Sequence, residues 1–553
     1  METKLESPRS KVILCLVLII GISLCLKLYS IDFSLPVNSD NLLFTLHAIA
    51  HTNGDFSQST YVSMGWSLFV SPFFSLINSD NFIDYSNMVR VLSMSVATCS
   101  IPIMYLICRK FFDQKYSLVG ASLLAFEPHL NYNAGLAYTE PLFIMTILGS
   151  FYFVLSKETR YIIPSLILAG AVLWIRPNGF IIFFIITIIY FITLRGQKRY
   201  FRNYALGLTL FLIVISPMFL QKYEEYGDPF YSDYNTQIFV ENYEELEWTE
   251  TKNLEVTAMD YIENKGFGSF LENFGLKGFF NTLMVLSKIS LPYLFILIPF
   301  GILFSFRAFD QDKKYIRANW LFILLSIASM LVVIAVIPER RFLFFLLPFL
   351  IIFSVIPIQR VVEYGLSTFS FTKNQKNIFL IIVIFIVVVL SGYFTIFQYG
   401  EPDIVFENEK KDFAKFAVSN LHGEVLREFG PASDYIVYEI ITNPHGQFKQ
   451  FKINSDWSEY QELGGDVTSH GSVFISGKSL NELVKNGKEF DLKYIIVNKG
   501  GNQPFHIFLN DLYSNEENYP YMVKVFDSKD LGYKKFEVKV FEIDYEKFNK
   551  IDE

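Results

Sequence analysis

Cysteine, charge and signature catalytic motifs are all scarce in this chain. Its four cysteines (Cys15, Cys25, Cys99 and Cys108) fall inside apolar runs, so the water-exposed parts have no disulfide to form and no cysteine-based metal site. Only 18% of the 553 residues are charged, too few for an ordinary soluble multidomain protein. The formal net charge is −8, which argues against a nucleic-acid partner. There is no Gly-rich phosphate cradle, no G-x-S-x-G elbow and no H-E-x-x-H helix, so the chemistry those motifs support is set aside. Neither a repeat of solenoid period nor a low-complexity linker is found.

What the chain does have is apolar length. It is 52% hydrophobic, with 58 Phe and 32 Tyr, and repeated apolar runs of about 20 residues indicate a polytopic α-helical membrane protein. The first run, 12–28, follows a basic flank of Lys4, Arg9 and Lys11 and lacks a small-residue cleavage site, so it reads as an uncleaved span. Basic clusters separate later runs, at Arg109, Lys110 and Lys115, at Lys157 and Arg160, and within 195–202, 307–317 and 360–376. Placing each of them in the cytoplasm gives spans near 11–29, 91–108, 116–134, 140–156, 161–176, 178–194, 203–220, 286–306, 318–337, 342–359 and 377–397. That is about eleven transmembrane helices, with the N-terminus cytoplasmic and the C-terminus extracytoplasmic. The apolar stretch 61–77 is interrupted by Gly65 and Pro72, and reads as a re-entrant or surface-lying element.

On this map residues 1–398 form a membrane domain with large outer loops at 30–90 and 221–285. Residues 399–553 form an extracytoplasmic soluble α/β domain. The segment 221–280 carries 13 acidic residues against 4 lysines, a balance that lipid does not admit. In the tail, an amphipathic helix is expected over 407–421, with strands at 435–441, 473–476, 494–498, 522–526 and 536–543.

Several polar residues meet at the level of the outer boundary. Asp40 opens PVNSDNLLFTLHAIAHTNGDF, in which Leu43, Leu46, Ala50 and Asn53 at helical spacing mark an amphipathic surface helix that ends before Asp55. His129 and Glu140 flank HLNYNAGLAYTEP, which also contains Tyr138. Arg176 lies in WIRPNG at the turn of a helical hairpin, and Arg340 and Arg341 lie in PERRF. Arginine offers a fixed fork of donors matched to phosphate oxygens. A carboxylate beside it can take a proton from a hydroxyl or hold a divalent metal. Each residue also has a plainer reading. Asp40 could cap its helix, Glu140 could serve a helix dipole, and the arginines could anchor helix ends at the headgroups. His47 and His51 share a helix face, but no third metal ligand stands near them in sequence.

The pattern resembles the GT-C superfamily of polytopic glycosyltransferases, in the branch related to protein O-mannosyltransferases and lipid A aminoarabinose transferase (family 39-like). The resemblance rests on DNLLFTLHAIAHTNGDF, AYTEPLF, WIRPNG, YGDPFY and ERRFLFFLLP, which between them span most of 11–360. It implies transfer of a sugar (a hexose or pentose) from a polyprenyl, dolichyl-type phosphate to an extracytoplasmic acceptor (protein, lipid or surface glycan), with inversion. It implies Asp40 and Glu140 as catalytic acids and Arg176, Arg340 and Arg341 as ligands of the donor phosphate. Asp55, His129 and Tyr138 are accessory candidates. A divalent metal, Mg or Mn, could sit on Asp40 and Glu140. Asn41 stands where many relatives have a second acid, and the WWD motif of oligosaccharyltransferases is missing, so block transfer of an oligosaccharide is not expected. The competing class is a polytopic lipid or sugar transporter or flippase, which calls for ionisable groups near mid-membrane and for repeated halves.

Overall fold

The computed structural model describes residues 8–37, 40–57, 63–231, 238–239, 257–306, 313–427, 433–442, 446–453, 467–469, 479–499 and 508–552. The middle of the acidic outer segment, part of YGDPFYSDYN and the strand expected at 473–476 lie outside them.

The apolar runs become helices, because a backbone in lipid must satisfy its own hydrogen bonds. In order these are α1 (Pro8–Tyr29), α2 (Asp40–Thr52), α3 (Gly65–Phe74), α4 (Phe82–Phe111), α5 (Gln114–Ala125), α6 (Pro128–Gly135), α7 (Glu140–Val154), α8 (Ile162–Ile175), α9 (Gly179–Thr193) and α10 (Tyr200–Tyr226). Further helices include Lys277–Ile289, Leu294–Ser305, Lys313–Val336, Leu347–Arg360 and Lys373–Phe394. Among the described residues six helices are long and apolar enough to cross a membrane, and a seventh crossing can be made from a pair bent by 119° between Ile289 and Leu294. About eleven were expected, and the difference lies in runs that break or stay short. The run 116–134 splits at Glu127, because Pro128 has no amide hydrogen to continue α5. Pro128 instead starts α6, with Glu127 as N-cap accepting from the Leu130 amide at 2.6 Å. α7, α8 and α9 are apolar but only 14 or 15 residues long. The stretch around Gly65 and Pro72 is the ten-residue α3, too short to span.

The helix Leu347–Arg360 forms the centre of the bundle, with every residue from Leu347 to Ile358 buried. Phe322 and Phe349 stack there at 3.6 Å, and Phe151 meets Phe349 edge-on. Outward-facing Phe201, Ile213, Ile296 and Phe385 are exposed, as expected of a surface solvated by lipid rather than water. This is a multi-pass membrane protein. α3 lies tight against α8, since a Cβ at Gly65 would stand 2.5 Å from the Trp174 carbonyl.

The C-terminal part builds a five-stranded mixed sheet in the order β2-β1-β3-β5-β4. Its strands are β1 (Gly423–Arg427), β2 (Val467–Ser469), β3 (Leu492–Asn498), β4 (Met522–Asp527) and β5 (Val538–Ile543). β1 runs parallel to β2 and β3, and β5 runs antiparallel to β3 and β4. The amphipathic helix expected over 407–421 is Ile404–Asn420. The strand expected at 435–441 is instead the helix Ser433–Thr442. Its aromatic and β-branched residues favour a strand locally, but Ile436 and Ile440, four apart, are both buried. Tyr438 packs edge-on against Phe82 of α4 at 5.8 Å, so tertiary burial decides the outcome.

This lobe docks on α2, the turn after it and the start of α4. Phe451 stacks on His47 at 5.9 Å, and Phe448 meets Phe82 and Tyr85 at 5.4 and 5.5 Å. Asn53 donates to the Lys449 carbonyl at 2.6 Å, and the Ile453 amide donates to Asp55 Oδ2 at 2.9 Å.

Candidate active site

Four distant segments converge at one end of the bundle. Asp40 starts α2, Glu140 starts α7, Arg176 follows the last residue of α8, and Arg340 and Arg341 begin a 3₁₀ turn, Arg340–Leu346. Each carboxylate meets one guanidinium. Arg341 Nη1 donates to Asp40 Oδ2, and Arg341 Nε reaches Glu339 at 2.5 Å. Arg176 Nη1 donates to Glu140 Oε1 at 2.9 Å.

The two pairs differ in setting. The Asp40 side chain is 41% exposed, whereas that of Glu140 is only 2% exposed. Glu140 Oε2 is buried without a hydrogen-bond partner, an arrangement that costs free energy unless something else satisfies it. Between the pairs lies Phe342, whose ring is 5.5 Å from the Arg176 guanidinium and 5.8 Å from that of Arg341. One aromatic ring thus lies within cation–π reach of both guanidinium groups. Tyr138 completes this wall, with Arg341 5.5 Å from its ring. Burial pushes the Tyr138 phenol up to about 12, although Arg341 pulls the other way, so it stays a neutral donor at physiological pH. Ala137, just before it, is held at φ +70°, a left-handed conformation that a residue with a Cβ adopts at a cost.

Other candidates face elsewhere. Arg340 is exposed and lies near the Tyr399 hydroxyl. His129 bonds the same hydroxyl through Nδ1, and its Nε2 lies 3.1 Å from the Lys288 carbonyl. Asp55 accepts from Ile453 and from the Ser57 amide at 3.0 Å, in the seam with the C-terminal lobe. His47 is stacked in that seam, and His51 Nδ1 lies 2.9 Å from the Asp55 carbonyl. Asn41 is buried and donates to the Leu136 carbonyl at 2.7 Å. It ties α2 to the loop bearing Tyr138, where an ionised acid would have no such donor to offer.

Among the described residues no three His, Cys, Asp or Glu side chains converge as metal ligands. Arginines already neutralise both Asp40 and Glu140. A divalent ion on Asp40 and Glu140 would have to compete with those guanidinium groups.

Sequence reasoning passed over Phe342, which stands in ERRFLFFLLP like any other apolar residue, and Ala137, whose strain has no sequence signal. Tyr399, at the C-terminal end of the last apolar run, also escaped notice.

Helices around a buried central element, polar residues gathered at one end and a sheet-bearing C-terminal lobe beyond them make up the GT-C fold. The solved structures that share this fold are GT-C glycosyltransferases. The Archaeoglobus fulgidus oligosaccharyltransferase in its apo form superposes with a TM-score of 0.59 at 12% identity, over 92% of this chain and 73% of that one. The same organism's AglB, in complex with an inhibitory peptide and a dolichol-phosphate, gives 0.56 at 13% identity over 90% and 70%. ArnT from Cupriavidus metallidurans bound to undecaprenyl phosphate gives 0.52 at 11% identity over 95% and 97%. No protein-family model matches the sequence, and no curated protein matches it.

Proposed function

We propose that this protein is an inverting glycosyltransferase that moves one hexose or pentose from a polyprenyl phosphate to an extracytoplasmic acceptor. In this reading the N-terminus is cytoplasmic, and the short apolar helices complete about eleven crossings. Asp40, Glu140 and the arginines then face the outside, together with residues 399–553. A lipid-linked donor suits that side, where nucleotide sugars are not expected, and two fold neighbours hold dolichol-phosphate and undecaprenyl phosphate.

The observation that carries the proposal is the double acid–guanidinium arrangement around Phe342. Asp40, the more exposed acid, takes the proton from an acceptor hydroxyl as its oxygen attacks the anomeric carbon. The bond from that carbon to the phosphate oxygen breaks on the opposite face, and its electron pair leaves with the phosphate, which inverts the centre. Arg341, freed from Asp40 as the carboxylate is protonated, turns its donors to the departing phosphate, and Arg176 supports it. Glu140 holds Arg176 in place. Arg340 serves the phosphate from the Tyr399 side.

Asp40→Asn tests this. The residue is well exposed, so stability should change by less than about 1 kcal/mol, while transfer from a polyprenyl-phosphate sugar should fall about 10²- to 10⁴-fold. Undiminished turnover in a folded, membrane-inserted variant overturns the assignment.

A further inference from the structure

α9 and α10 are joined by a short basic turn, RGQKRYFR from Arg195 to Arg202. It lies at the far end of α9 from Arg176, and fifteen helical residues carry it about 22 Å away. The turn borders a groove of about 790 Å³ lined by Arg195, Arg199, Arg202, Phe191, Tyr200 and Phe201, among others. That volume lies within the range of small-ligand sites. Among the described residues no carboxylate pairs with any of the three arginines. The neighbouring Glu158 is engaged by Arg160 at 2.7 Å.

The groove is held in shape from beneath. Tyr190 and Tyr200 stack at 4.9 Å with nearly parallel rings, and their hydroxyls donate to the Tyr200 and Phe191 carbonyls at 2.8 and 3.1 Å. Thr159 donates to the Lys198 carbonyl at 3.2 Å and accepts from Asn203 at 2.8 Å. Arg199 sits at φ +62°, a left-handed conformation that the surrounding contacts must maintain. Beside the arginines, Phe201 is 74% exposed and Ile192 55% exposed, as suits residues at the edge of the acyl region. An open cationic recess with an aromatic rim at the headgroup level matches an anionic lipid, its phosphate among the guanidinium forks and its chains along the apolar flank.

We propose that this groove binds the headgroup phosphate of an anionic phospholipid at the membrane face opposite Asp40 and Glu140. This is independent of the glycosyltransferase reading, since no residue of the groove belongs to that site.

The test uses the full chain in nanodiscs of mixed phosphatidylcholine and phosphatidylglycerol, with retained lipid counted by native mass spectrometry. Wild type should keep phosphatidylglycerol in preference to phosphatidylcholine. Each basic residue near an anionic surface is worth about fivefold in lipid affinity, so R195Q/R199Q/R202Q should lower retention about a hundredfold. Gln197→Glu, which leaves every arginine in place, should also lower it. Equal retention by wild type and the triple variant overturns the proposal. So does displacement of the lipid by millimolar inorganic phosphate, which would mark a site for the free anion.

Discussion

Replacing Arg176 by methionine removes the one guanidinium that Glu140 touches, while keeping a side chain that can fill the space. Glu140 would then be a carboxyl group at 2% exposure with neither oxygen satisfied, because Oε2 already lacks a partner. Breaking a buried pair from one side costs about 3–5 kcal/mol, and the 16% exposure of the Arg176 side chain argues for the lower end, about 3 kcal/mol. Glu140→Gln leaves a neutral amide that still accepts from Arg176, and should cost about 1–2 kcal/mol. The informative variant is R176M/E140Q. With the stranded carboxyl group removed it should be more stable than R176M alone, so the two changes are strongly non-additive. Thermal melting of the four proteins in one detergent measures this directly. If R176M and R176M/E140Q melt together, or the two effects simply add, the reasoning from burial fails.

Phe342→Leu keeps bulk but removes the ring between two guanidinium groups. At about 0.5–1 kcal/mol for each cation–π contact, donor kcat/KM should drop roughly five- to thirtyfold with little change in melting, and unchanged kinetics would count against an orienting role. Burial, with a smaller contribution from His51, holds His47 down at about 3 against an ordinary 6.5. The unfolded chain therefore binds the extra proton first, and stability present above pH 6.5 should be lost as pH falls toward 3, by about 1.4 kcal/mol per pH unit at most. His47→Phe should flatten that slope in acid melting curves, and a slope unchanged by the substitution would contradict it. Gly65→Ala puts a methyl against the Trp174 carbonyl and should destabilise by about 1–3 kcal/mol, read as a lower melting temperature.

Apolar length made the membrane class and most helices legible, because a run long enough to cross lipid has few alternatives. The meeting of Asp40, Glu140, Arg176 and Arg341 could be anticipated once their loops were assigned to one side. Which of two adjacent arginines meets Asp40 could not. Successive residues of a tight 3₁₀ turn point about 120° apart, and only the packing of Arg340–Leu346 sends Arg341 to Asp40 and Arg340 to Tyr399. The split at Glu127 carried a signal in Pro128, which hydropathy alone smoothed over. The helix Ser433–Thr442 carried none, since its residues prefer strand and its partner Phe82 lies far away in sequence.

α2 holds the acid at its first residue and grips the C-terminal lobe through His47 and the turn beyond its last. Thirteen helical residues make a stiff rod about 20 Å long. Over that length a tilt of a few degrees about one end swings the other by about an ångström, so the position of the lobe and that of the carboxylate are geometrically linked.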